Sequence, residues 1–102
     1  MKPTIYPVPL ELDKSRNRQF VLAMETESLI VACQKIEGPH TFHHLNEKHD
    51  EILHVLSGQL EVWTSEGTHT LKAGDLLKIP KGVEHGDLIG TNAQILIIEG
   101  KL

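Results

Sequence analysis

The sequence predicts an all-β domain built as a sandwich or a barrel. Seven short apolar runs follow one another from residue 19 onward, and most are followed by a turn signal such as Gly-Pro or Ser-Gly. Several short strands separated by about ten residues are typical of sandwiches and barrels. No segment repeats its apolar residues well at the period of a helix. The 102 residues fit one compact domain.

The elements are predicted in chain order. Residues 1–19 hold three of the five prolines and no clear period, which predicts an extended arm that packs on a barrel formed by residues 20–102. The predicted strands are QFVLAM, SLIVACQKI, EILHVL, LEVWTS, THTL, DLLKI and QILIIEG. The turns between them are expected at Gly38-Pro39, Ser57-Gly58, Glu66-Gly67, Ala73-Gly74 and Pro80.

Two of these strands, EILHVL and QILIIE, have apolar residues on both faces. By contrast, LEVWTS alternates apolar and polar positions, so one of its faces is apolar and the other is partly polar. A strand covered on both faces needs a second sheet or a partner subunit. We therefore expect a homodimer, and the alternative is that the proline-rich arm covers the outer face within the same chain.

Composition excludes several classes of function. The formal charge is -4 and lysine and arginine are not clustered, which argues against nucleic-acid binding. No apolar run approaches the length of about 20 residues that a membrane-spanning helix needs. The single cysteine, Cys33, cannot form an internal disulfide, and the chain lacks a secretory leader pattern, so we expect a cytoplasmic protein.

Histidine is unusually frequent and clustered. Five of the seven histidines lie within fifteen residues: His40, His43, His44, His49 and His54. Such a cluster indicates a metal site, and the alternative is a set of solvated polar side chains. If Phe42, His44 and Asn46 lie on one strand, all three point to the same face. Glu51 then begins the next strand, and a barrel that turns it inward places its carboxylate beside His44.

A second segment predicts how one further histidine is directed. Gly74 precedes a strand that ends at Pro80, because proline has no N–H to give to the sheet. Gly82 can then adopt a backbone conformation that other residues avoid, and the chain turns. This turn directs His85 towards the barrel.

These two segments resemble the two sequence motifs of the cupin superfamily. In the first, five residues separate Gly38 from His44, one separates His44 from Asn46, four precede Glu51 and six precede Gly58. The family normally has a second histidine where this chain has Asn46.

The second segment matches the family pattern without a departure up to its histidine. Five residues separate Gly74 from Pro80, one separates Pro80 from Gly82, and two precede His85. The resemblance spans residues 38–85, and the flanking strands fit a small single-domain cupin. It implies a jelly-roll barrel, often dimeric, with a metal held inside by His44, Glu51 and His85.

The asparagine at position 46 leaves three interpretations open. The first keeps a metal on the two histidines and one carboxylate, with Asn46 as a weak or water-mediated ligand; this set suits Fe(II), Mn and related ions. The second recruits Glu47, His49 or His43 as a replacement. In the third the metal is lost, and a polar cluster binds a small anionic or hydroxylated ligand.

The expected cofactor is a divalent transition metal, Fe, Mn, Ni, Co or Zn, and the expected ligand is a compact polar molecule. The predicted pocket wall consists of Phe42, Leu53, Val55 and Leu77. As an enzyme the protein would be an Fe(II) oxygenase or an isomerase or lyase that uses Mn, Ni or Zn as a Lewis acid, with Glu47 and His49 as candidate proton carriers. The alternative function is a binding or sensor module without turnover.

Overall fold

The computed structural model describes residues 2–8 and 18–101, and all regular secondary structure within them is β-strand. This confirms the predicted all-β class. The six strands are β1 (Arg18–Glu25), β2 (Leu29–His44), β3 (Glu51–Thr64), β4 (Gly67–Lys72), β5 (Leu76–Ile79) and β6 (His85–Gly100). No helix able to span a lipid bilayer occurs in the part of the chain that the structure describes.

The predicted arm is described only in part. Residues 2–8 have no regular secondary structure, residues 1 and 9–17 lie outside the described part of the chain, and β1 begins at Arg18, inside the predicted arm. The packing of an arm over residues 1–19 therefore stays a prediction.

The strands form one antiparallel sheet that wraps around a single core. Neighbouring strands follow the order β1-β2-β6-β3-β4, and β5 pairs with the first half of β3. β2 and β6 each have 16 residues and β3 has 14, well beyond the five or six residues that are most common. Strands of this length must bend to stay on a small core, which is consistent with a jelly-roll barrel.

The expected turns at Gly38-Pro39 and Ser57-Gly58 are wrong, because both lie inside long strands. The pairing of β2 with β6 shifts register between Ile36 and Gly38, and the pairing of β3 with β6 shifts on both sides of Ser57. Gly58 has a φ of 75°, and a Cβ on it would overlap backbone carbonyls of β6. A glycine at such a bulge bends a strand without ending it.

The core lies on the inner face of this bent sheet. Along β3, buried positions alternate from Glu51 through Leu53 to Val55, as the two-residue period of a strand requires. The buried apolar cluster comprises Ile36, Leu53, Val55, Leu60, Val62, Leu71, Ile79, Leu88, Ala93 and Ile95. Because Glu51 continues the same inward row, its carboxylate is placed at one end of the core.

Candidate metal centre

The two predicted histidine ligands lie opposite each other on neighbouring strands. His44 is the last residue of β2 and His85 the first residue of β6, and the two are directly paired in the sheet. Gly86 permits this close approach, since a Cβ on it would overlap the carbonyl group of Phe42. The imidazole rings meet edge to face, with centroids 5.2 Å apart.

The turn before His85 adopts the conformation that the sequence predicts. Gly82 has a φ of 84°, in the left-handed region, and its N–H donates a 2.8 Å hydrogen bond to the backbone carbonyl of Asn46. The N–H of Lys81 donates to the carboxylate of Asp50 at 2.9 Å. The turn is thus joined to the loop between β2 and β3, and this connection helps to set the position of His85 relative to His44.

The carboxylate of Glu51 lies between the two imidazoles. Its Oε1 is 2.6 Å from Nε2 of His44, and its Oε2 is 3.0 Å from Nε2 of His85. The Glu51 and His85 side chains are buried, whereas 45% of the His44 side chain is exposed. One ligand atom from each residue lies within 4.8 Å of the other two. The three residues thus form a half-open cluster that solvent reaches from the side of His44.

One oxygen of this cluster is not satisfied by the protein. Oε1 of Glu51 is buried and makes no hydrogen bond among the described residues, although His44 is close, so that contact lacks hydrogen-bond geometry. A buried polar atom without a partner is costly and calls for an explanation. Two imidazole nitrogens and a carboxylate oxygen that converge are a suitable donor set for a transition metal.

The electrostatics of Glu51 favour its ionised form. Burial alone would raise the pKa of this carboxyl, but hydrogen bonding to His85 and the nearby imidazole charges outweigh burial and lower the pKa. An ionised carboxylate is the form that binds a metal.

The cluster lines a cavity of about 240 Å³. The polar side chains that line it are Gln34, His40, His44, Glu51, His85 and Glu99. The apolar side chains are Phe20, Phe42, Leu53, Leu88 and Ile97. A volume of this size has room for a small molecule beside the three converging ligand atoms.

Comparison with known proteins identifies the family. Residues 32–99 match the family model for the cupin domain, and this range includes both segments that carry the candidate ligands. The chain belongs to the cupin family. The resemblance inferred from the two motifs is thereby confirmed.

One curated relative and two solved structures show which cupins are similar. A protein of Saccharolobus solfataricus named as a putative dioxygenase is 36% identical over 74% of this chain. The match covers only 20% of the length of that relative. A cupin-2 domain protein of Shewanella frigidimarina is 30% identical, with a TM-score of 0.71 over 81% of this chain and 80% of the other.

The second solved structure, KdgF of Halomonas, has a TM-score of 0.73. It is 23% identical, with 87% of this chain and 84% of that chain covered, so it supports the fold alone.

The structure places Asn46 in a turn, beyond the end of β2. Its side-chain oxygen accepts hydrogen bonds from the backbone N–H groups of Lys48, at 3.0 Å, and His49, at 2.9 Å. The expectation that Phe42, His44 and Asn46 share one strand therefore fails at Asn46, because an asparagine side chain that caps its own turn competes with strand pairing. Asn46 is not among the described residues that line the cavity.

The remaining sequence-predicted residues lie both inside and outside this cavity. Phe42 and Leu53 line it, whereas Val55 is fully buried in the core and Leu77 packs against the core and lines a different cavity. Of the candidate proton carriers, Glu47 is exposed and outside the cavity lining.

The other candidate carrier, His49, packs against a backbone position of the last strand. A Cβ on Gly100 would overlap its imidazole ring, and the ring is not among the described side chains that line the cavity. Nothing in the geometry brings Glu47 or His49 to the carboxylate of Glu51, and their proton-carrying role stays a prediction.

His43, adjacent to the first histidine ligand, points to the outer face. Its Nδ1 is 2.9 Å from a carboxylate oxygen of Glu84, its Nε2 is 3.0 Å from one of Asp87, and its ring stacks on Trp63 with centroids 4.8 Å apart. The hydrogen bond to Asp87, supported by the charge of Glu84, raises the pKa of His43. His43 is therefore paired with two acids of its own and does not reach the cavity.

Sequence reasoning missed Glu99, the second carboxyl group of the cavity. Glu99 pairs with Glu51 across β3 and β6, and both side chains line the cavity. Burial, together with the neighbouring carboxyl group of Glu51, raises the pKa of Glu99. The available signal was its position: it continues the inward row of Ile95 and Ile97, where an apolar residue would be expected.

Proposed function

We propose that this cupin holds one divalent transition metal through His44, Glu51 and His85 and acts as a metal-dependent oxygenase on a compact polar molecule. The observation that carries the proposal is the convergence of three ligand atoms within 4.8 Å of one another in the lining of a cavity. Two histidines and one carboxylate that leave positions open are typical of non-haem Fe(II) oxygenases. The similarity to a protein named as a dioxygenase supports the same reaction class.

The residues of the chain would divide the work between them. The neutral imidazoles of His44 and His85 would each give a nitrogen lone pair, and ionised Glu51 would reduce the net charge of the centre. The apolar side chains of Phe42 and Leu53 would limit the access of water to the bound molecule. A redox-active metal at this site would supply the means to activate oxygen, which these side chains cannot do themselves.

The first experiment measures metal on protein purified without a tag. We expect about one transition-metal ion per chain in the wild type after loading under anaerobic conditions with Fe(II), Mn, Ni, Co or Zn in turn, and little in His85→Ala. His69→Ala, which removes an exposed histidine of β4, is the matched control and should retain the metal. Equal metal in His85→Ala and wild type would disprove this ligand set.

The second experiment separates the reaction classes. Oxygen uptake that depends on Fe(II), across a panel of small hydroxylated and dicarbonyl compounds, would support the oxygenase. Turnover with Mn, Ni or Zn without oxygen would instead indicate an isomerase or lyase. An intact small molecule that copurifies and survives incubation with Fe(II) and oxygen would indicate a binding or sensor module.

We also propose that the cupin is a homodimer. Leu76 is 67% exposed. The apolar side chains that point outward from β3 and β6 are only partly buried; they are Ile52, Leu96 and Ile98. A second copy on this face would remove apolar surface from water. Light scattering should give twice the chain mass of 11.4 kDa, and Leu76→Asp should shift the protein towards the monomer.

A further inference from the structure

Two buried glutamines differ in whether the side-chain amide has a partner. Gln34 of β2 is 7% exposed and Gln94 of β6 is 8% exposed. The amide nitrogen of Gln94 donates to Sγ of Cys33 at 3.5 Å, whereas the amide of Gln34 makes no hydrogen bond to any described residue. A buried amide without a partner costs free energy, so its presence in a core calls for an explanation.

Gln34 lines the cavity from an otherwise apolar part of the sheet. Its neighbours on the inner face of β2, Ala32 and Ile36, are buried, and so is Ile95, its partner on β6. On the other side it pairs with Phe20 of β1, which also lines the cavity. An apolar side chain would suit these surroundings and would remove the cost of the unpaired amide. The amide of Gln34 is therefore not explained by packing, and it is available to a molecule in the cavity.

The chemistry of a primary amide limits what can pair with Gln34. The group has N–H donors and a carbonyl acceptor side by side, and it does not titrate. A primary amide, lactam or imide on the bound molecule has the complementary arrangement and can make two parallel hydrogen bonds. A carboxylate has only acceptors and an ammonium group only donors, so each would leave one side of the buried amide unpaired. A single hydroxyl oxygen cannot make straight bonds to both amide atoms.

We propose that Gln34 determines the specificity of the cavity by pairing with an amide-type group on the bound molecule, in which a C=O stands beside an N–H. As a statement about the substrate this rests on the proposed function, although the two hydrogen bonds themselves need no metal. Apolar side chains of the same cavity, among them Phe42 and Leu53, would cover the rest of such a molecule. Gln34 precedes both sequence motifs, so neither motif assigns it a role.

Three neutral probes with one phenyl ring each test the proposal. Benzamide has the amide group, acetophenone has the carbonyl without the N–H, and benzyl alcohol has a hydroxyl group. Titrations followed by NMR should give benzamide about tenfold tighter binding than acetophenone, because acetophenone leaves the carbonyl of Gln34 unpaired. Equal affinity for these two probes would overturn the proposal. Benzyl alcohol that binds as tightly as benzamide would overturn the choice of an amide.

The NH₂ resonances of the two glutamine side chains show where the probe binds. They are assigned by their loss in Gln34→Met and in Gln94→Met. Benzamide should shift the resonances of Gln34 and leave those of Gln94 in place, since Gln94 is not among the described residues that line the cavity. Binding of benzamide without a shift at Gln34 would mean that the probe binds elsewhere, which contradicts the proposal.

The same two variants form a matched pair for affinity and stability. Gln34→Met keeps an unbranched side chain of similar length, so the preference for benzamide over acetophenone should disappear while the thermal midpoint rises, because an unpaired buried amide is removed. Gln94→Met removes a buried amide that has a partner, so it should keep the preference and lower the midpoint. A Gln34→Met variant that keeps the preference, or whose midpoint falls as much as that of Gln94→Met, would show that the amide has a structural role instead.

Titration of both Zn-loaded and metal-free wild-type protein separates this proposal from the metal site. If the protein binds no metal but still prefers benzamide, the proposed function fails and the role of Gln34 stands. If it binds metal through His44, Glu51 and His85 but shows no preference in either form, the metal site stands and the role of Gln34 is wrong. This comparison needs no variant, so it decides the question even if Gln34→Met does not fold.

Discussion

Two clusters of imidazole and carboxylate groups lie on opposite faces of the same strands in this cupin. The inner cluster places one carboxylate between two imidazoles, and the outer cluster places one imidazole between two carboxylates. On the inner face, one buried carboxylate, Glu51, lies between the imidazoles of His44 and His85. On the outer face, one exposed imidazole, His43, lies between two carboxylates. His43 and His44 are consecutive, so the alternation of a strand alone assigns them to different clusters.

Burial and convergence explain why the inner cluster suits a metal better than the outer one does. Glu84 and Asp87 already have a cation when His43 is protonated, and the raised pKa of His43 reflects that pairing. The three side chains of this outer cluster are 39–53% exposed, whereas Glu51 and His85 are buried. In the inner cluster, one ligand atom each from His44, Glu51 and His85 lies within 4.8 Å of the other two.

The largest expected effect compares one carboxylate from each cluster. Glu51→Gln should weaken metal binding more than about 100-fold, since changes outside the ligand shell alone cost about 10–100-fold. Glu84→Gln should leave metal affinity within about threefold, because the carboxylate of Glu84 pairs with His43 of the outer cluster. Calorimetric titration with Zn measures both. Equal losses in the two variants would mean that the clusters act as one site.

The second prediction disturbs the backbone that the two clusters share. Gly86→Ala should lower the free energy of unfolding by about 1–3 kcal/mol, the usual cost of overpacking, because its Cβ would overlap the carbonyl of Phe42. Metal affinity should fall as well, since the strands that bear His44 and His85 must separate. Denaturation in urea and metal titration check the two effects.

A suitable control for that substitution is Gly38→Ala. Gly38 also has a positive φ, of 76°, but no atom lies within 4 Å of its added Cβ. The Gly38→Ala variant should lose about 1 kcal/mol of the free energy of unfolding, because alanine disfavours a positive φ, and it should keep its metal affinity. Loss of metal in both variants would point to general unfolding instead of displaced ligands.

The third prediction concerns the histidine that the family has and this chain lacks. Asn46→His should not tighten metal binding by more than about threefold, since position 46 lies in a turn outside the cavity lining. The variant should instead lose about 1 kcal/mol of stability with the two hydrogen bonds of the asparagine side chain. Much tighter metal binding would show that the loop rearranges to bring residue 46 inward.

The smallest expected effect is a pH dependence of stability that His43 of the outer cluster should contribute in metal-free protein. Because the pKa of His43 is raised above its ordinary 6.5 in the folded protein, its stabilising contribution is complete below that ordinary value and is lost as pH rises through the folded value. The thermal midpoint of His43→Gln should therefore lie furthest below that of the wild type near pH 6. The difference should shrink towards pH 9, and a constant difference would contradict this assignment.

The sequence by itself determined the all-β class and, within a strand, which side chains share a face, because alternation is a local property of the chain. The resemblance of two glycine-bounded segments to the cupin motifs also implied that His44, Glu51 and His85 form one group. Even the departure at Asn46 was visible, although its consequence was not.

Tertiary structure decided the features that depend on residues far apart in the chain. Whether Gly38 and Gly58 end a strand or bend it depends on the partner strand, and β6 continues the pairing past both. The side chain of Asn46 is engaged in its own turn, so the strand ends at His44. Glu99 enters the site only because β6 pairs with β3 across 48 residues of sequence, from Glu51 to Glu99, a distance over which no local pattern carries information.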